Sequence, residues 1–281
     1  MHIYDIKLDE LYPKLPKTDD PPTLRAFIHE GPCQTEGRQN YPALLILPGG
    51  GYNFCNNAEG EPVATKFYSL GFNCYVLIYT CKPHAYYPTQ LLQTAAAIHL
   101  IRTREDWNNS GHVSVIGFSA GGHLAGHISS CWDMPLLSDT LECESETLRV
   151  NAMILCYPGA IFEKDSHRGS ITNLFEEKKT EEEYAALDIR KHIRKGITPP
   201  AFLWHTEIDS AVPTEDSFRV FSALRKAGIP SEIHVFPEGE HGFSVADRTV
   251  GRNTTREYAY IRRWVDMVME WEKYMFPEQF E

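Results

Sequence analysis

Short apolar runs alternate with helix-like patterns along most of this chain, and this alternation limits its fold more than any other feature. The runs are rich in β-branched and aromatic residues. They predict buried strands at Ala43–Leu47, Asn73–Thr80, His112–Gly117, Val150–Tyr157, Ala201–His205 and Glu232–Phe236. Between them, apolar residues recur three or four positions apart, as on one face of a helix. Strands that alternate with helices predict an α/β fold with a mostly parallel central sheet.

The helical patterns and the remaining segments complete this prediction. Helices are expected at Glu61–Leu70, Thr89–Arg104, Ala120–Cys131, Thr214–Ala227 and, as one long final helix, Thr255–Tyr274. The first forty residues are expected to supply antiparallel edge strands, with Leu24–His29 the better candidate. Residues 161–196 break the alternation and predict a small cap-like insertion, whose acidic run Glu176–Glu183 would face solvent. Because no segment resembles a linker, we expect residues 1–281 to form a single domain.

Composition excludes several classes of protein. The net charge is −11, whereas a nucleic-acid binder normally needs a basic face. No apolar run approaches the ~18 residues of a membrane helix, and no export signal is visible, so a cytoplasmic location is expected. The seven cysteines are odd in number and irregularly spaced, which argues against a disulfide framework. No clustered Cys and His pattern indicates zinc, so no metal is expected.

The segment Gly117–Gly121 has the pattern G-x-S-x-G and lies between a predicted strand and a predicted helix. A serine in such a sharp turn adopts strained backbone angles, so its neighbours must be small. The turn lifts Ser119 Oγ above the edge of the sheet, where the N–H groups of the next helix point at any oxyanion. A phosphate-binding loop would instead end in GK[ST], which is absent here. We therefore expect Ser119 to be a nucleophile.

A serine nucleophile needs a general base, and the base needs an orienting acid. On sheets of this kind the chain order is Ser, then Asp or Glu, then His. Asp209 lies in the middle of the loop that follows the predicted strand Ala201–His205. Glu207 is the competing acid, and Asp216 is a weaker one because it falls inside the next helix. We expect Asp209 to be the acid.

The base is sought among twelve histidines. His241 lies on a loop between glycines, after the last predicted strand, where its imidazole can reach Ser119. His234 lies within the alternating pattern of a predicted strand and is expected to be structural. His205 ends a predicted strand, where backbone groups can satisfy its hydrogen bonds. Only His241 combines chain order, loop placement and neighbouring glycines, so we expect it to be the base.

Acyl transfer also needs donors for the developing oxyanion. One is expected to be the N–H of Ala120, the residue after the nucleophile. The others should come from the loop Pro48–Tyr52, which follows an early strand. Its consecutive glycines let N–H groups converge on a ligand, and we favour Gly50 and Gly51 as donors.

Together these segments resemble the α/β-hydrolase superfamily, and more narrowly the acetyl-xylan-esterase-like group of small esterases, also called xylanase B-like. The matching pieces are LPGGGY at Leu47–Tyr52, GFSAGGHLAG at Gly117–Gly126, FLWHTEIDSAVP at Phe202–Pro213 and GEHGF at Gly239–Phe243. Pro48 stands where many hormone-sensitive-lipase-like enzymes have His, which favours the acetyl-esterase-like group. Ser244 is less typical than Gly after GEHGF.

The resemblance implies an α/β-hydrolase fold and a serine esterase with Ser119 as nucleophile, Asp209 as acid and His241 as base. It implies short acyl substrates, especially acetyl groups on sugar hydroxyls, and no cofactor. Tyr52 and His123 are expected to line the substrate pocket, with a second role open for His123, which lies one turn beyond Ser119 and could support the helix that follows the nucleophile. Other aromatic residues that could stack on a sugar are Phe54, Tyr79, Tyr86, Tyr87 and Trp132.

Several alternatives stay open. The same triad serves an arylformamidase-like amide hydrolase and a peptidase of the prolyl-oligopeptidase type, although no propeller-sized region is present. A non-catalytic ligand-binding protein is the remaining class, and an intact Ser, Asp and His argues against it. The absent export signal favours small esters or imported oligosaccharides over a polymer. A homo-oligomer is left open.

Overall fold

The computed structural model of the protein describes residues 1–31, 40–163, 168–250 and 256–280. The strands in these ranges are β1 (His2–Lys7), β2 (Thr23–Ile28), β3 (Tyr41–Leu47), β4 (Asn73–Ile78), β5 (Asn109–Phe118), β6 (Ala152–Cys156), β7 (Ala201–Thr206) and β8 (Ser231–Phe236). The helices are α1 (Leu8–Leu11), α2 (Glu61–Ser69), α3 (Thr89–Thr103), α4 (Ala120–Cys131), α5 (Pro135–Leu141), α6 (Arg168–Asn173), α7 (Glu181–Ala185), α8 (Thr214–Lys226), α9 (Arg256–Ile261) and α10 (Trp264–Met275).

The strands form one sheet in the order β1-β2-β4-β3-β5-β6-β7-β8. From β4 to β8 all neighbours are parallel, whereas β1 and β2 add antiparallel strands at one side. The predicted α/β fold with a mostly parallel sheet is therefore confirmed, and so is an antiparallel N-terminal edge. The strand at the edge of the sheet is β1. The favoured candidate, β2, is the second strand and pairs with β1 on one side and with β4 on the other.

Apolar side chains fill both faces of the sheet. One cluster joins α3, α4 and α8 to the sheet through residues such as Ile98, Ile128 and Val220. The other packs α2 and α10 against the opposite face through residues such as Phe67 and Trp264. Burial on both faces explains why the central strands are nearly continuous apolar runs.

The final helix differs from the prediction of one long helix. It divides into α9 and α10, and at the break the Val265 N–H donates to the Arg262 carbonyl, three residues back. The predicted first residue, Thr255, lies outside the described residues. Ile261 and Trp264 are both buried across the break. Because the apolar face continues through the turn, its spacing does not reveal the interruption.

The predicted insertion at 161–196 contains α6, α7 and a 3₁₀ turn at Ile189–Lys191; residues 164–167 lie outside the described ranges. Its acidic run is mostly exposed, as expected, while Tyr184 beside it is buried. No helix within the described ranges is long and apolar enough to cross a bilayer. The six cysteines in those ranges are free thiols.

Candidate active site

Parallel strands bring the predicted site residues to one edge of the sheet. The loops that follow the carboxyl ends of β3, β5, β7 and β8 carry the glycine loop, Ser119, Asp209 and His241, respectively. Because these strands are parallel, their carboxyl ends meet at the same edge, which is where open α/β sheets place their sites. The order of elements therefore predicts that these side chains come together.

Ser119 lies between β5 and α4 with φ 53° and ψ −118°, backbone angles that are strained for a residue with a Cβ. Its two flanking glycines make that turn possible. A Cβ on Gly117 would lie 2.1 Å from the Gly121 carbonyl oxygen, and a Cβ on Gly121 would lie 2.1 Å from the Leu47 carbonyl oxygen. The requirement for small neighbours, expected from the motif, is thus met by direct backbone contacts.

Ser119, His241 and Asp209 form one hydrogen-bonded chain. His241 Nε2 lies 2.8 Å from Ser119 Oγ, and His241 Nδ1 lies 2.7 Å from Asp209 Oδ2. An ionised Asp209 only accepts, so it holds the tautomer in which Nδ1 carries the proton and Nε2 accepts from the serine. This tautomer is the one that a general base needs.

Asp209 is enclosed and well supplied with donors. Its Oδ1 accepts from the N–H groups of Ala211 and Val212, each at 2.9 Å. Its Oδ2 also lies 3.2 Å from His205 Nε2, and both of these side chains are fully buried. Burial alone would raise the pKa of the Asp209 carboxyl, but hydrogen bonds from His205, His241 and Val212 hold that pKa below its usual value. The acid is therefore ionised at neutral pH.

The residues that compete for the roles of acid and base lie outside this hydrogen-bonded chain. Glu207 is exposed, and its N–H donates to the Phe236 carbonyl at the end of β8. Asp216 is buried in the first turn of α8. His234 lies on β8, where it bonds Glu232 at 2.6 Å. Among the candidate acids and bases, the structure brings only Asp209 and His241 into hydrogen-bond contact in a line to Ser119.

The glycine loop offers free backbone donors. The Gly49 N–H is occupied, because it donates to the buried Glu59 carboxylate at 2.8 Å. Among the described residues the N–H groups of Gly50, Gly51 and Ala120 have no hydrogen-bond partner. Gly50 has φ +122°, and a Cβ there would lie 2.0 Å from the carbonyl oxygen of Phe54. The arrangement is therefore compatible with Gly50, Gly51 and Ala120 as oxyanion donors. Gly49 is not available as a donor, because its N–H is bonded to Glu59.

Tyr52 and His123 do not line an open pocket, contrary to the sequence prediction. Their exposed fractions are 0% and 1%. Tyr52 donates its hydroxyl proton to His123 Nδ1 at 2.7 Å, and His123 Nε2 donates to the Leu187 carbonyl at 2.8 Å. Burial lowers the pKa of His123 to about 4, so the ring is neutral and can serve both contacts. The pair ties the glycine loop to α4 and to the insertion instead of offering surface to a substrate.

The other aromatic residues that were predicted to stack on a sugar differ in their exposure. Tyr79 and Trp132 are buried, and each donates to a backbone carbonyl, of Pro48 and Ile197 respectively. Tyr86 and Tyr87 are half-buried. Phe54 is 56% exposed and follows the glycine loop directly. Phe54 therefore has the largest free aromatic surface of this set.

The insertion packs against the glycine loop. Asn173 on α6 donates its side-chain amide to the Gly51 carbonyl at 2.8 Å and accepts from Lys82 at 3.1 Å. The buried hydroxyl of Ser170 lies 3.9 Å from where a Gly51 Cβ would be, and it has no partner among the described residues. The insertion thus borders the loop that carries the predicted oxyanion donors.

Sequence reasoning missed a buried polar network behind the site, formed by Glu59, Tyr157 and Ser244. Tyr157 donates to Glu59 Oε1 at 2.8 Å and accepts from the Ser244 N–H at 3.0 Å. Ser244 has φ 50°, a conformation that favours glycine, which explains why Gly is typical there. The atypical Ser244 was the one sequence signal that pointed to this network.

Three potential metal ligands, which the sequence spacing did not reveal, come together beside α4. They are His127, Cys131 and His192, whose ligand atoms lie within 4.8 Å of one another. The two imidazole rings stack at 20° to each other, so their in-plane lone pairs do not converge on one point. His192 Nε2 also bonds the Ala186 carbonyl. We assign no metal to this cluster.

Comparison with known proteins places this geometry in a family. The BD-FAE family model matches residues 32–224, and the dienelactone hydrolase family model matches residues 184–274. Endo-1,4-beta-xylanase B of Butyrivibrio fibrisolvens is 35% identical over 231 residues, which is 80% of this chain and 35% of that protein. Acetylxylan esterase of Xylanibacter ruminicola is 29% identical over 224 residues, 77% of this chain and 42% of that protein. The chain thus spans less than half the length of these two relatives.

A solved structure matches almost end to end. The acetyl ester-xyloside bifunctional hydrolase from Caldicellulosiruptor lactoaceticus is 30% identical, with a TM-score of 0.82, over 97% of this chain and 96% of that one. The carboxylesterase Cest-2923 from Lactobacillus plantarum, at 22% identity and a TM-score of 0.81, shares the fold. The chain belongs to the BD-FAE family, and its fold is that of the α/β-hydrolase esterases.

Proposed function

We propose that this protein is a serine esterase that removes short acyl groups, acetyl in particular, from sugars or oligosaccharides. The observation that carries the proposal is the unbroken hydrogen-bonded chain from Ser119 through His241 to Asp209, with free N–H groups beside the serine. The names of the relatives, which include an acetylxylan esterase and an acetyl ester-xyloside hydrolase, support ester chemistry on acetylated sugars.

The first step acylates the serine. His241 Nε2 takes the proton from Ser119 Oγ as that oxygen bonds to the ester carbonyl carbon, and the carbonyl oxygen becomes an oxyanion. The N–H groups of Gly50, Gly51 and Ala120 are the proposed donors to this charge. When the intermediate collapses, the C–O bond to the alcohol breaks, and the alcohol oxygen leaves with the proton from His241. The buried Asp209 carboxylate stabilises the imidazolium formed in between.

The second step releases the acid. Water gives a proton to His241 Nε2 as its oxygen attacks the acyl carbon, and the same N–H groups hold the second oxyanion. Collapse breaks the bond to Ser119 Oγ, which regains its proton from His241. Every proton moves between substrate, water and the imidazole, so the steps require neither a metal nor a cofactor.

The surface beside the glycine loop supports a sugar substrate. A groove of about 300 Å³ adjoins Phe54, and its wall includes the polar side chains of Asp20, Asn53 and Lys82. An exposed aromatic ring beside hydrogen-bonding groups suits a sugar, whose C–H face stacks while its hydroxyls bond. We place the sugar part of the substrate in this groove.

A substrate screen tests the proposal. Purified protein should release acetate from acetylated xylo-oligosaccharides and nitrophenol from p-nitrophenyl acetate, and the rate should fall steeply from acetyl to octanoyl esters. Ser119→Ala should abolish all of these activities. Cleavage of N-formylkynurenine with no ester cleavage would replace the proposal with an arylformamidase-like function. A preference for octanoyl esters would replace it with a lipase.

A further inference from the structure

Glu59 is a buried carboxylate that the proposed mechanism does not use. It ends the 3₁₀ turn Asn57–Glu59 just after the glycine loop, and only 1% of its surface is exposed. Its Oε2 accepts from the Gly49 N–H and its Oε1 accepts from the Tyr157 hydroxyl, each at 2.8 Å. These two donors favour the carboxylate anion, whereas burial opposes it.

The partners of Glu59 connect two loops of the proposed site. Through Gly49 it holds the loop that carries the predicted oxyanion donors. Through Tyr157 it reaches Ser244, three residues after His241, because the Tyr157 hydroxyl accepts from the Ser244 N–H at 3.0 Å. Ser244 Oγ also donates to the Ala58 carbonyl at 2.5 Å, next to Glu59 itself. One carboxylate therefore anchors both the glycine loop and the histidine loop.

The same carboxylate lies close to the reacting groups. A Cβ on Gly49 would lie 2.7 Å from Glu59 Oε2 and 2.9 Å from Ser119 Cβ, so only this glycine separates the two side chains. The Tyr157 ring packs edge-on against His241, with ring centres 5.1 Å apart. Burial holds the pKa of Glu59 above its usual value, although the Tyr157 and Gly49 hydrogen bonds and the charge of His241 oppose this shift. The interaction with His241 is mutual, because a carboxylate nearby also favours the imidazolium.

We propose that Glu59 is a positioning residue of this site: its carboxylate fixes the glycine loop relative to the histidine loop and supplies a second negative charge, besides Asp209, that favours protonated His241. The inference rests on the proposed function, since it gives Glu59 a part in that catalysis. Ser119, Asp209 and Tyr157 contact His241 directly, and Asp209 is the carboxylate among them. Glu59 lies behind Tyr157, and its Oε1 is 4.0 Å from the position of a Cβ on Gly242, the residue next to His241.

Two variants separate the two parts of the proposal. Glu59→Gln removes the charge and keeps the size, and its amide can still bond Gly49 and Tyr157. Tyr157→Phe keeps the charge and removes the bridge to Ser244. Glu61→Gln is the matched control, because it neutralises a carboxylate two residues away that is 60% exposed. Thermal unfolding of each variant shows whether it is folded.

The direct measurement is an NMR titration of the His241 ring, which needs no substrate. In Glu59→Gln the His241 ring should titrate at a lower pH than in the wild type, and the acid limb of kcat/KM for p-nitrophenyl acetate should move to lower pH with it. In Tyr157→Phe kcat should fall by about 10- to 100-fold with little change in KM, since small displacements of reacting groups cost that much. Glu61→Gln should match the wild type in both measurements.

The outcomes are distinguishable from those of the esterase proposal. If wild-type protein cleaves esters but His241 titrates alike in Glu59→Gln and Glu61→Gln, and Tyr157→Phe keeps its kcat, the inference about Glu59 is overturned and the esterase proposal stands. If the His241 pKa falls in Glu59→Gln while the wild type cleaves no ester, the esterase proposal fails and the electrostatic role of Glu59 is supported. Should Glu59→Gln not fold, unchanged kcat in Tyr157→Phe is enough to overturn the positioning role.

Discussion

His205 Nε2 lies 3.2 Å from Asp209 Oδ2, the same carboxylate oxygen that accepts from His241 Nδ1. His205 is fixed on its other side by Ser217, whose hydroxyl lies 2.8 Å from Nδ1. The predicted acid therefore sits between two imidazoles, one fully buried in the core and one directed at Ser119. The first orients the carboxylate for the second.

Replacing His205 should weaken both stability and catalysis. We expect His205→Ala to lower the free energy of unfolding at pH 7 by about 1–3 kcal/mol, because the buried Asp209 carboxylate loses the imidazole beside it and the Val212 carbonyl, 3.1 Å from His205 Nε2, loses its donor. The kcat for ester hydrolysis should fall but not vanish, because Ser119 and His241 are both still present. Urea unfolding and ester hydrolysis measure the two effects. His234→Ala is the control, because His234 lies on β8 and is not part of the hydrogen-bonded chain from Ser119 to His205.

The same pair predicts a dependence on pH. The folded pKa of Asp209 lies below its unfolded value, so its stabilisation is present above the unfolded pKa of about 3.9 and is lost as the pH falls towards the folded value. The stability gap between wild type and His205→Ala should therefore narrow when urea unfolding is repeated below about pH 3.9. An equal gap at pH 7 and at pH 3 would argue that His205 acts through packing alone.

Neutralising the acid distinguishes Asp209 from its sequence competitor. Asp209→Asn should lower kcat by about 10⁴-fold, because the amide no longer holds the reactive tautomer of His241. Glu207→Gln should leave kcat near the wild-type value, since Glu207 is exposed and outside the hydrogen-bonded chain. Steady-state kinetics on p-nitrophenyl acetate measure both. Loss of activity in Glu207→Gln with Asp209→Asn active would reverse the assignment.

A methyl group at Gly50 should disrupt the predicted oxyanion donors. In Gly50→Ala the new Cβ meets the Phe54 carbonyl, so the loop must move and kcat should fall by about 10²–10³-fold. Gly196→Ala is the control, because Gly196 also has a positive φ but, apart from its chain neighbours, no described residue lies within 4 Å of its Cβ position. Both variants should lose some stability, and only Gly50→Ala should lose activity. Equal kcat in the two variants would remove Gly50 from the site.

The sugar groove predicts a substrate-dependent effect at Phe54. Phe54→Ala should raise KM for acetylated xylo-oligosaccharides several-fold, by the ~1 kcal/mol of a lost stacking contact, and change KM for p-nitrophenyl acetate little. Phe218→Ala removes another exposed phenylalanine, 41% exposed on α8, and should affect neither substrate. If Phe54→Ala raises both KM values alike, the ring packs against the loop and does not bind sugar.

The sequence predicted the sheet and the proposed triad because both depend on local patterns and on chain order. Apolar runs mark buried strands, and parallel strands bring Ser119, Asp209 and His241 to one edge whatever their separation along the chain. The resemblance to a family then narrowed the chemistry.

Other features depend on contacts that no local pattern encodes. Glu59 is a single acidic residue in a loop, and its burial follows only from the meeting of that loop with Tyr157. Tyr52 and His123 lie in motif segments, yet they bond each other inside the core. The break before Trp264 preserves the apolar face of the helix, so the spacing cannot show it.

Mapping the site of fluorophosphonate labelling tests the central claim most directly. A fluorophosphonate reacts with a serine only when a base and an oxyanion hole activate it. A single adduct is expected, located on Ser119 by mass spectrometry of peptides and absent from Ser119→Ala. An adduct on another residue, or labelling that persists in Ser119→Ala, would contradict it.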